Sequence, residues 1–384
     1  MEYDLLCHEC AGSEEPGSHL IEVCVGCFDR ADSWTNGWRG KPEILIRDKE
    51  IAGTWTTRPC TVEPVNARCL APLPGGWLAY TAEGLVEIDA DGEHLLGPVE
   101  LPEDTSDGPP ETWGGRKRGP ALYTSPDGRF AAIVSDYGRY GTVVDLPEWA
   151  TVLDLERDCD DVEYTRYPFA FIGRGDDAKV VAGTDWNRLD VFELPGGRLL
   201  TERDTEAPET RHDPPPPHYL DYFQGAVLPN PSERLLVVDG WAWHPVGAPM
   251  VVDAEAWLQG DVHAAEDGDH LRFPTWAWDQ PIAWVDDDTV AIQRMGNDDK
   301  EMIDGIELYE ARSTRRIGMF AGPSGPMWAH GGLLHVAAKG GFEIWDPAEG
   351  ARIGRHEGFT PTAHRDGVFA ALGNGQLRIW TSTR

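Results

Sequence analysis

Ser125-Pro126-Asp127-Gly128-Arg129-Phe130-Ala131-Ala132-Ile133-Val134 is the stretch that decides the fold. Proline presets the backbone angle a tight turn needs. Aspartate hydrogen-bonds forward to its own backbone, and glycine takes the left-handed conformation without strain. The apolar run that follows is short and partly β-branched, so it reads as a strand leaving a hairpin turn. Comparable passages recur along the chain. They are Leu73-Pro74-Gly75-Gly76-Trp77-Leu78-Ala79-Tyr80, Gly173-Arg174-Gly175-Asp176-Asp177-Ala178-Lys179-Val180-Val181-Ala182 and Leu228-Pro229-Asn230-Pro231-Ser232-Glu233-Arg234-Leu235-Leu236-Val237-Val238. Three more follow: Val285-Asp286-Asp287-Asp288-Thr289-Val290-Ala291-Ile292, His330-Gly331-Gly332-Leu333-Leu334-His335-Val336 and Arg365-Asp366-Gly367-Val368-Phe369-Ala370-Ala371-Leu372.

A third strand follows most of these turns. These are Leu85-Val86-Glu87-Ile88, Gly141-Thr142-Val143-Val144-Asp145-Leu146, Leu189-Asp190-Val191-Phe192-Glu193-Leu194, Met250-Val251-Val252-Asp253, Gly305-Ile306-Glu307-Leu308-Tyr309, Phe342-Glu343-Ile344-Trp345-Asp346 and Leu377-Arg378-Ile379-Trp380. A fourth is often readable, as in Thr151-Val152-Leu153-Asp154-Leu155 and Arg315-Arg316-Ile317-Gly318-Met319-Phe320. Four short strands per repeat predict an all-β fold, a β-propeller of seven four-stranded blades. Counting alone leaves six or eight blades open.

Ile344-Trp345-Asp346 resembles the closing strand of WD40-type propellers, Ile379-Trp380 half matches it, and Ser125-Pro126-Asp127-Gly128 matches the turn between the first two strands of a blade. The Gly-His dipeptide of that family is not cleanly present. The passages Asp221-Tyr222-Phe223-Gln224-Gly225 and Asp239-Gly240-Trp241-Ala242-Trp243-His244-Pro245-Val246-Gly247 resemble those of an uncharacterised bacterial group of WD40-like proteins, a likeness that implies a fold and no activity. The seventh unit lacks a fourth strand. Glu43-Ile44-Leu45-Ile46-Arg47 has no unit of its own and is expected to supply it, closing the ring in the manner the WD40 resemblance implies and removing an exposed edge.

Four of the seven cysteines fall in Cys7-His8-Glu9-Cys10 and Cys24-Val25-Gly26-Cys27. Two residues between cysteines let both thiolates turn to one point, and two such knuckles make a tetrahedral thiolate site suited to Zn2+. The order of knuckle, hairpin, knuckle and helix resembles a treble-clef or zinc-ribbon finger. The expected organisation is a zinc-binding finger over residues 1–40 and a propeller over 41–384. The zinc at Cys7, Cys10, Cys24 and Cys27 would be structural, since four thiolates leave no position for substrate. A rubredoxin-like iron site uses the same ligands, so iron stays open.

The chain has 384 residues and a net charge of -33. Such a balance opposes nucleic-acid phosphates, whose binding needs lysine and arginine to displace counterions, and opposes anionic membranes. No apolar run approaches the roughly 18 residues of a spanning helix, and the start carries no secretory pattern. The expectation is a soluble, cytoplasmic monomer. Arginine outnumbers lysine, 27 to six, as in a GC-rich bacterial genome.

Trp241 and Trp243 stand two apart in an extended segment and so share a side, and Trp276 and Trp278 repeat the spacing. With His244 they form a candidate binding rim, because tryptophan joins a large apolar body to one donor. Packing of these rings between blades is the competing reading. Three long connections, Leu101 to Arg118, Asp204 to His218 and Gln259 to His270, read as solvated linkers or as docking segments. The acidic runs Asp286-Asp287-Asp288 and Asn297-Asp298-Asp299 read as hairpin turns rather than Ca2+ loops. No G-x-S-x-G, Walker-A or H-E-x-x-H sequence is present. The favoured function is a non-catalytic scaffold for a protein or peptide partner. The alternative is a propeller enzyme, a hydrolase, lactonase or lyase working at the central channel, where residues from separate blades would leave no linear motif.

Overall fold

The computed structural model describes residues 42–102, 117–159, 162–204, 216–242, 246–271, 278–295 and 302–383. Seven sheets succeed one another along them. Blade 1 is Leu70–Leu73, Gly76–Thr81, Gly84–Ile88 and Glu93–Gly97, and blade 2 is Gly119–Thr124, Phe130–Asp136, Tyr140–Asp145 and Ala150–Glu156. Blade 3 is Phe169–Ile172, Lys179–Asp185 and Arg188–Glu193. Blade 4 is Phe223–Pro229, Leu235–Ala242, Met250–Asp253 and Asp269–His270, with Val246–Gly247 as an added pair. Blade 5 is Ile282–Trp284, Thr289–Met295, Ile303–Glu310 and Arg316–Ala321. Blade 6 is Met327–His330, Leu333–Ala338, Gly341–Asp346 and Ala351–Glu357. Blade 7 is Ala363–Arg365, Val368–Gly373 and Gln376–Ser382, completed by Gly53–Pro59.

The apolar run after Gly128 shows why the repeat makes blades. Phe130, Ala132 and Val134 pack into the core shared with blade 3, while Ala131 and Ile133 pack into the core shared with blade 1. A strand alternates its side chains between faces, and here both faces are buried, so the run is apolar throughout. Such a cluster fills each junction from blade 1 to blade 7 and the junction of blade 7 with blade 1, so the disc is a closed seven-bladed propeller.

The predicted turns join the first and second strands of the blades. In blade 2, Ser125 Oγ accepts from Phe130 N at 2.9 Å and donates to Asp127 Oδ1 at 2.6 Å, and Gly128 sits at φ 74°. Asp127 Oδ2 also accepts from Gly175 N of blade 3 at 2.8 Å. Glu233 of blade 4 accepts from Gly173 N at 2.6 Å, and Asp287 of blade 5 accepts from Ser232 N at 2.7 Å. Acidic turn residues thus cap backbone donors of the neighbouring hairpin. Asp286 Oδ1 accepts from Asp288 N and Thr289 N, the hydrogen bonding of a turn.

The ring closes with a different segment from the one expected. Gly53–Pro59 pairs antiparallel with Gln376–Ser382, whereas Leu45–Ile46 pairs parallel with Ala351 and Arg352 as a fifth strand on blade 6. The outermost strand of a blade is largely exposed, so apolar alternation does not mark it. Ile44 and Ile46 are 50% and 54% exposed, and the closing strand is the threonine-rich Gly53-Thr54-Trp55-Thr56-Thr57. A Cβ on Gly53 would lie 2.5 Å from the indole nitrogen of Trp380, which admits only glycine there.

Blade 3 has three strands among the described residues, and its fourth position is represented by a single bridge between Phe192 and Leu199. The connection from Gln259 to His270 is more than a solvated linker, since Ala264, Ala265 and Glu266 are buried. No helix among the described residues is long and apolar enough to cross a membrane. The four finger cysteines, and with them the predicted 1–40 finger, lie outside the described residues.

Candidate functional site

In an antiparallel blade the connections between second and third strands, and those leading into the next first strand, lie on one face of the disc. On that face the innermost elements converge on the channel mouth. Arg68 precedes the first strand of blade 1, Asp136 ends the second strand of blade 2 with Tyr137 next to it, Arg166 leads into blade 3 and Asp279 leads into blade 5.

Arg68 Nε lies 2.6 Å from Asp136 Oδ2, and its Nη2 donates to the Tyr123 hydroxyl at 2.7 Å. Arg166 Nε lies 2.7 Å from Asp279 Oδ1, and the Tyr137 hydroxyl donates to Asp279 Oδ2. Arg118 Nε donates to the Tyr137 carbonyl at 3.0 Å. Blades 2 and 5 are not neighbours in the ring, so the Tyr137–Asp279 bond reaches across the opening.

The two carboxylates are sealed, with side-chain exposures of 5% and 6%, while the Arg68 and Arg166 side chains keep 40% and 29%. Burial is the largest single influence on each guanidinium and opposes its charge. For Arg68, Asp136 and its neighbours overcome it. For Arg166, Asp279, Tyr137 and Asp136 do so, and both arginines are held above their ordinary range. Burial likewise pushes the Tyr123 hydroxyl up.

Two residues of the mouth have left-handed backbone. Tyr137 and Asp279, both at connections of this face, have φ of 60° and 55°. Non-glycine residues in this region cost about 1–2 kcal/mol each and concentrate where function over-determines the backbone. Beside the mouth, Val65, Tyr80, Leu101, Pro120 and Ser135 line a cavity of about 320 Å³ between blades 1 and 2.

Asp279 is anchored from below by aromatic rings. Trp278, its chain neighbour, donates from Nε1 to the Tyr164 carbonyl at 3.0 Å. Trp241 lies 5.9 Å from Trp278 and stacks on Phe223 at 4.1 Å, with 5° between the planes. Tyr164 meets Trp241 edge-on, and Trp186 tilts against Phe223. The structure therefore brings Trp241 and Trp278 together, 2% and 6% exposed, with their faces turned to other rings rather than to water. Trp243, His244 and Trp276 lie outside the described residues.

Sequence reasoning did not find Arg68, Asp136, Tyr137, Arg166 and Asp279. They are scattered over four blades and form no motif. The only available signal was position, at the ends of inner strands. Chemically, both carboxylates are paired with guanidiniums. Among the described residues no group of three or more histidine, cysteine or acidic side chains is placed to hold a metal ion.

No family model matches the chain, and no curated protein matches it. Among solved structures, a chain in the crystal structure of the mitotic checkpoint complex is similar, with a TM-score of 0.54 and 9% identity, over 90% of this chain and 97% of that one. A chain of hydrazine synthase from Kuenenia stuttgartiensis aligns with a TM-score of 0.49 and 11% identity, over 83% of this chain and 97% of that one. At 9% identity the likeness to the chain of the mitotic checkpoint complex shows the fold alone, in agreement with the seven-bladed β-propeller described above.

Proposed function

We propose that the chain is a non-catalytic binding scaffold that receives a protein or peptide partner on the loop face around the channel mouth. The observation that supports this reading most is the convergence of blades 1, 2, 3 and 5 on one recess, where buried carboxylates pair with two partly exposed arginine side chains. A rigid rim of this kind presents fixed charges without reorganising on binding. The protein-complex neighbour agrees in fold with a role in assembly. A photo-crosslinking residue at the exposed Glu83, on the loop face, should trap the same protein repeatedly in the native cell. One at the exposed Asp176, on the hairpin face, should not. Trapping from Asp176 alone, or from neither, overturns the reading.

The second element is a structural metal at the amino terminus. Cys7, Cys10, Cys24 and Cys27 have the donor set and spacing for Zn2+, and a closed tetrathiolate site would stabilise a finger too small to fold on apolar burial alone. Elemental analysis should find one zinc per chain, lost when Cys7 and Cys10 become serine while the propeller stays folded. Iron in its place would declare itself by its visible absorption. Zinc retained in the double variant removes the assignment.

A further inference from the structure

The geometry points to the channel mouth as a carboxylate-binding site, with Arg68 and Arg166 as its two anchoring guanidiniums. This deepens the scaffold reading by naming the chemistry of what binds, and it rests on that reading for the identity of the ligand as part of a partner.

The chain is strongly acidic, yet Arg68, Arg118 and Arg166 gather here against Asp136 and Asp279. The Nε of each anchoring arginine lies against a carboxylate as an ion pair, Arg68 at 2.6 Å from Asp136 and Arg166 at 2.7 Å from Asp279. Arg68 spends one further N–H on Tyr123. A guanidinium has five N–H donors in a rigid fork that matches the two oxygens of a carboxylate. The paired aspartates lie on the Nε side of each guanidinium, and the two arginine side chains keep 40% and 29% of their surface exposed. The two cations also oppose each other across the recess. An anion between them relieves that opposition, in a setting of low dielectric where the attraction exceeds its value in open water.

Two more features favour the terminal carboxylate of a peptide. Both Asp136 carboxylate oxygens are buried and have no hydrogen-bond partner among the described residues, and a peptide's last amide N–H lies next to its carboxylate and can supply one. The cavity lined by Val65, Pro120 and Ser135 is formed by chain neighbours of Arg68 and Asp136 and has room for an apolar side chain. A free small acid shares the carboxylate chemistry but cannot use the amide acceptor.

The test is calorimetric titration of the full chain at low salt with three probes: a heptapeptide with a free terminal carboxylate, the same peptide as its terminal amide, and succinate. The free-acid peptide should bind at least tenfold more tightly than its amide, and affinity should fall as salt rises. Arg166→Gln and Arg68→Gln should each lose about tenfold. Because either change leaves a buried carboxylate unpaired, the matched variants Arg166→Gln/Asp279→Asn and Arg68→Gln/Asp136→Asn are measured beside them, with thermal melting to confirm folding. Succinate binding as tightly as the peptide assigns the site to a free acid, which keeps the carboxylate chemistry and removes the partner. Equal binding of acid and amide, or full binding by a folded matched variant, overturns the proposal. Crosslinking from Glu83 that persists while the free-acid peptide fails to bind discards the carboxylate site and leaves the scaffold standing.

Discussion

The Arg203 guanidinium lies 2.8 Å from the Asp190 carboxylate, and the two side chains are 2% and 3% exposed. Asp190 also accepts from the Thr184, Arg188 and Thr201 side chains, at 2.6, 2.7 and 3.0 Å. Arg203 also meets Glu266 and donates to the carbonyls of Leu189 and Thr201. This network ties down the chain beyond Leu199, where blade 3 would otherwise carry a fourth strand, and it joins blade 3 to the packed connection of blade 4. Removing one member of a buried pair leaves an uncompensated charge and typically costs 3–5 kcal/mol. Arg203→Met should therefore lower the free energy of unfolding by about 4 kcal/mol in a urea titration. Arg203→Lys should recover little, since one ammonium cannot serve two carboxylates and two carbonyls.

Blades 6 and 7 share a core with an acid-sensitive layer. His335 is 1% exposed and lies against Phe342, Phe369 and Trp380. Burial pushes its pKa down to about 3, with His364 and His330 adding to the effect. Burial pushes His364 down to about 4, and its Nε2 accepts from Gly367 N at 3.1 Å, which requires the neutral ring. Folded values below the ordinary histidine value mean that the unfolded chain binds more protons as pH falls. The stability these groups contribute is complete above about pH 6.5 and is lost as pH falls toward 3–4. Two such groups make unfolding free energy decline by up to about 2.7 kcal/mol per pH unit between pH 6 and 4. His335→Phe keeps the stacking and should halve that slope, as measured by urea titrations at successive pH values.

Ring closure can be tested by contrasting two positions. Gly53→Val drives a side chain into the Trp380 indole and should destabilise the fold by about 1–3 kcal/mol, the scale of overpacking. Ile46→Ser, on the half-exposed fifth strand of blade 6, should stay within about 0.5 kcal/mol. The reverse order would return closure to the Glu43–Arg47 segment.

Trp241→Ala should lower the melting temperature markedly, since truncating a buried tryptophan costs about 3–5 kcal/mol. In Trp278→Ala the loss should extend to the mouth, because Trp278 fixes the neighbouring Asp279. Binding of the free-acid peptide by folded Trp278→Ala protein should weaken together with its stability.

The hairpin turns and the strands that follow them were legible in the sequence because both demand particular residues: a proline-aspartate-glycine turn for Ser125 to Gly128, and apolar side chains on both faces for Phe130 to Val134. The outer strands were less legible. Gly53 to Pro59 is exposed along most of its length and only has to pair, so little in its composition announced a strand. The Glu43–Arg47 segment has the more apolar composition and a different place. The mouth was not legible at all. Arg68, Asp136, Arg166 and Asp279 are ordinary charged residues until the ring closes, and only the closed ring makes them neighbours. The aromatic passages stood out because tryptophan is rare and large, but the sequence could not say whether Trp241 faces water or Phe223.

The closing strand also fixes an order of events. Gly53–Pro59 leaves the ribosome before any complete blade, yet its partner Gln376–Ser382 comes at the far end of the described chain. Joining segments so far apart carries a loop-closure entropy on the order of 5 kcal/mol, repaid only when the last blade exists. Until then the early segment has no mate, and the growing ring keeps an open edge that another nascent chain can occupy. Synthesis of this protein therefore passes through a window in which six blades are made and the ring is still a spiral. Changes at Gly53 or Trp380 should lengthen that window, and their effect on soluble yield should exceed their effect on the stability of protein that has already folded.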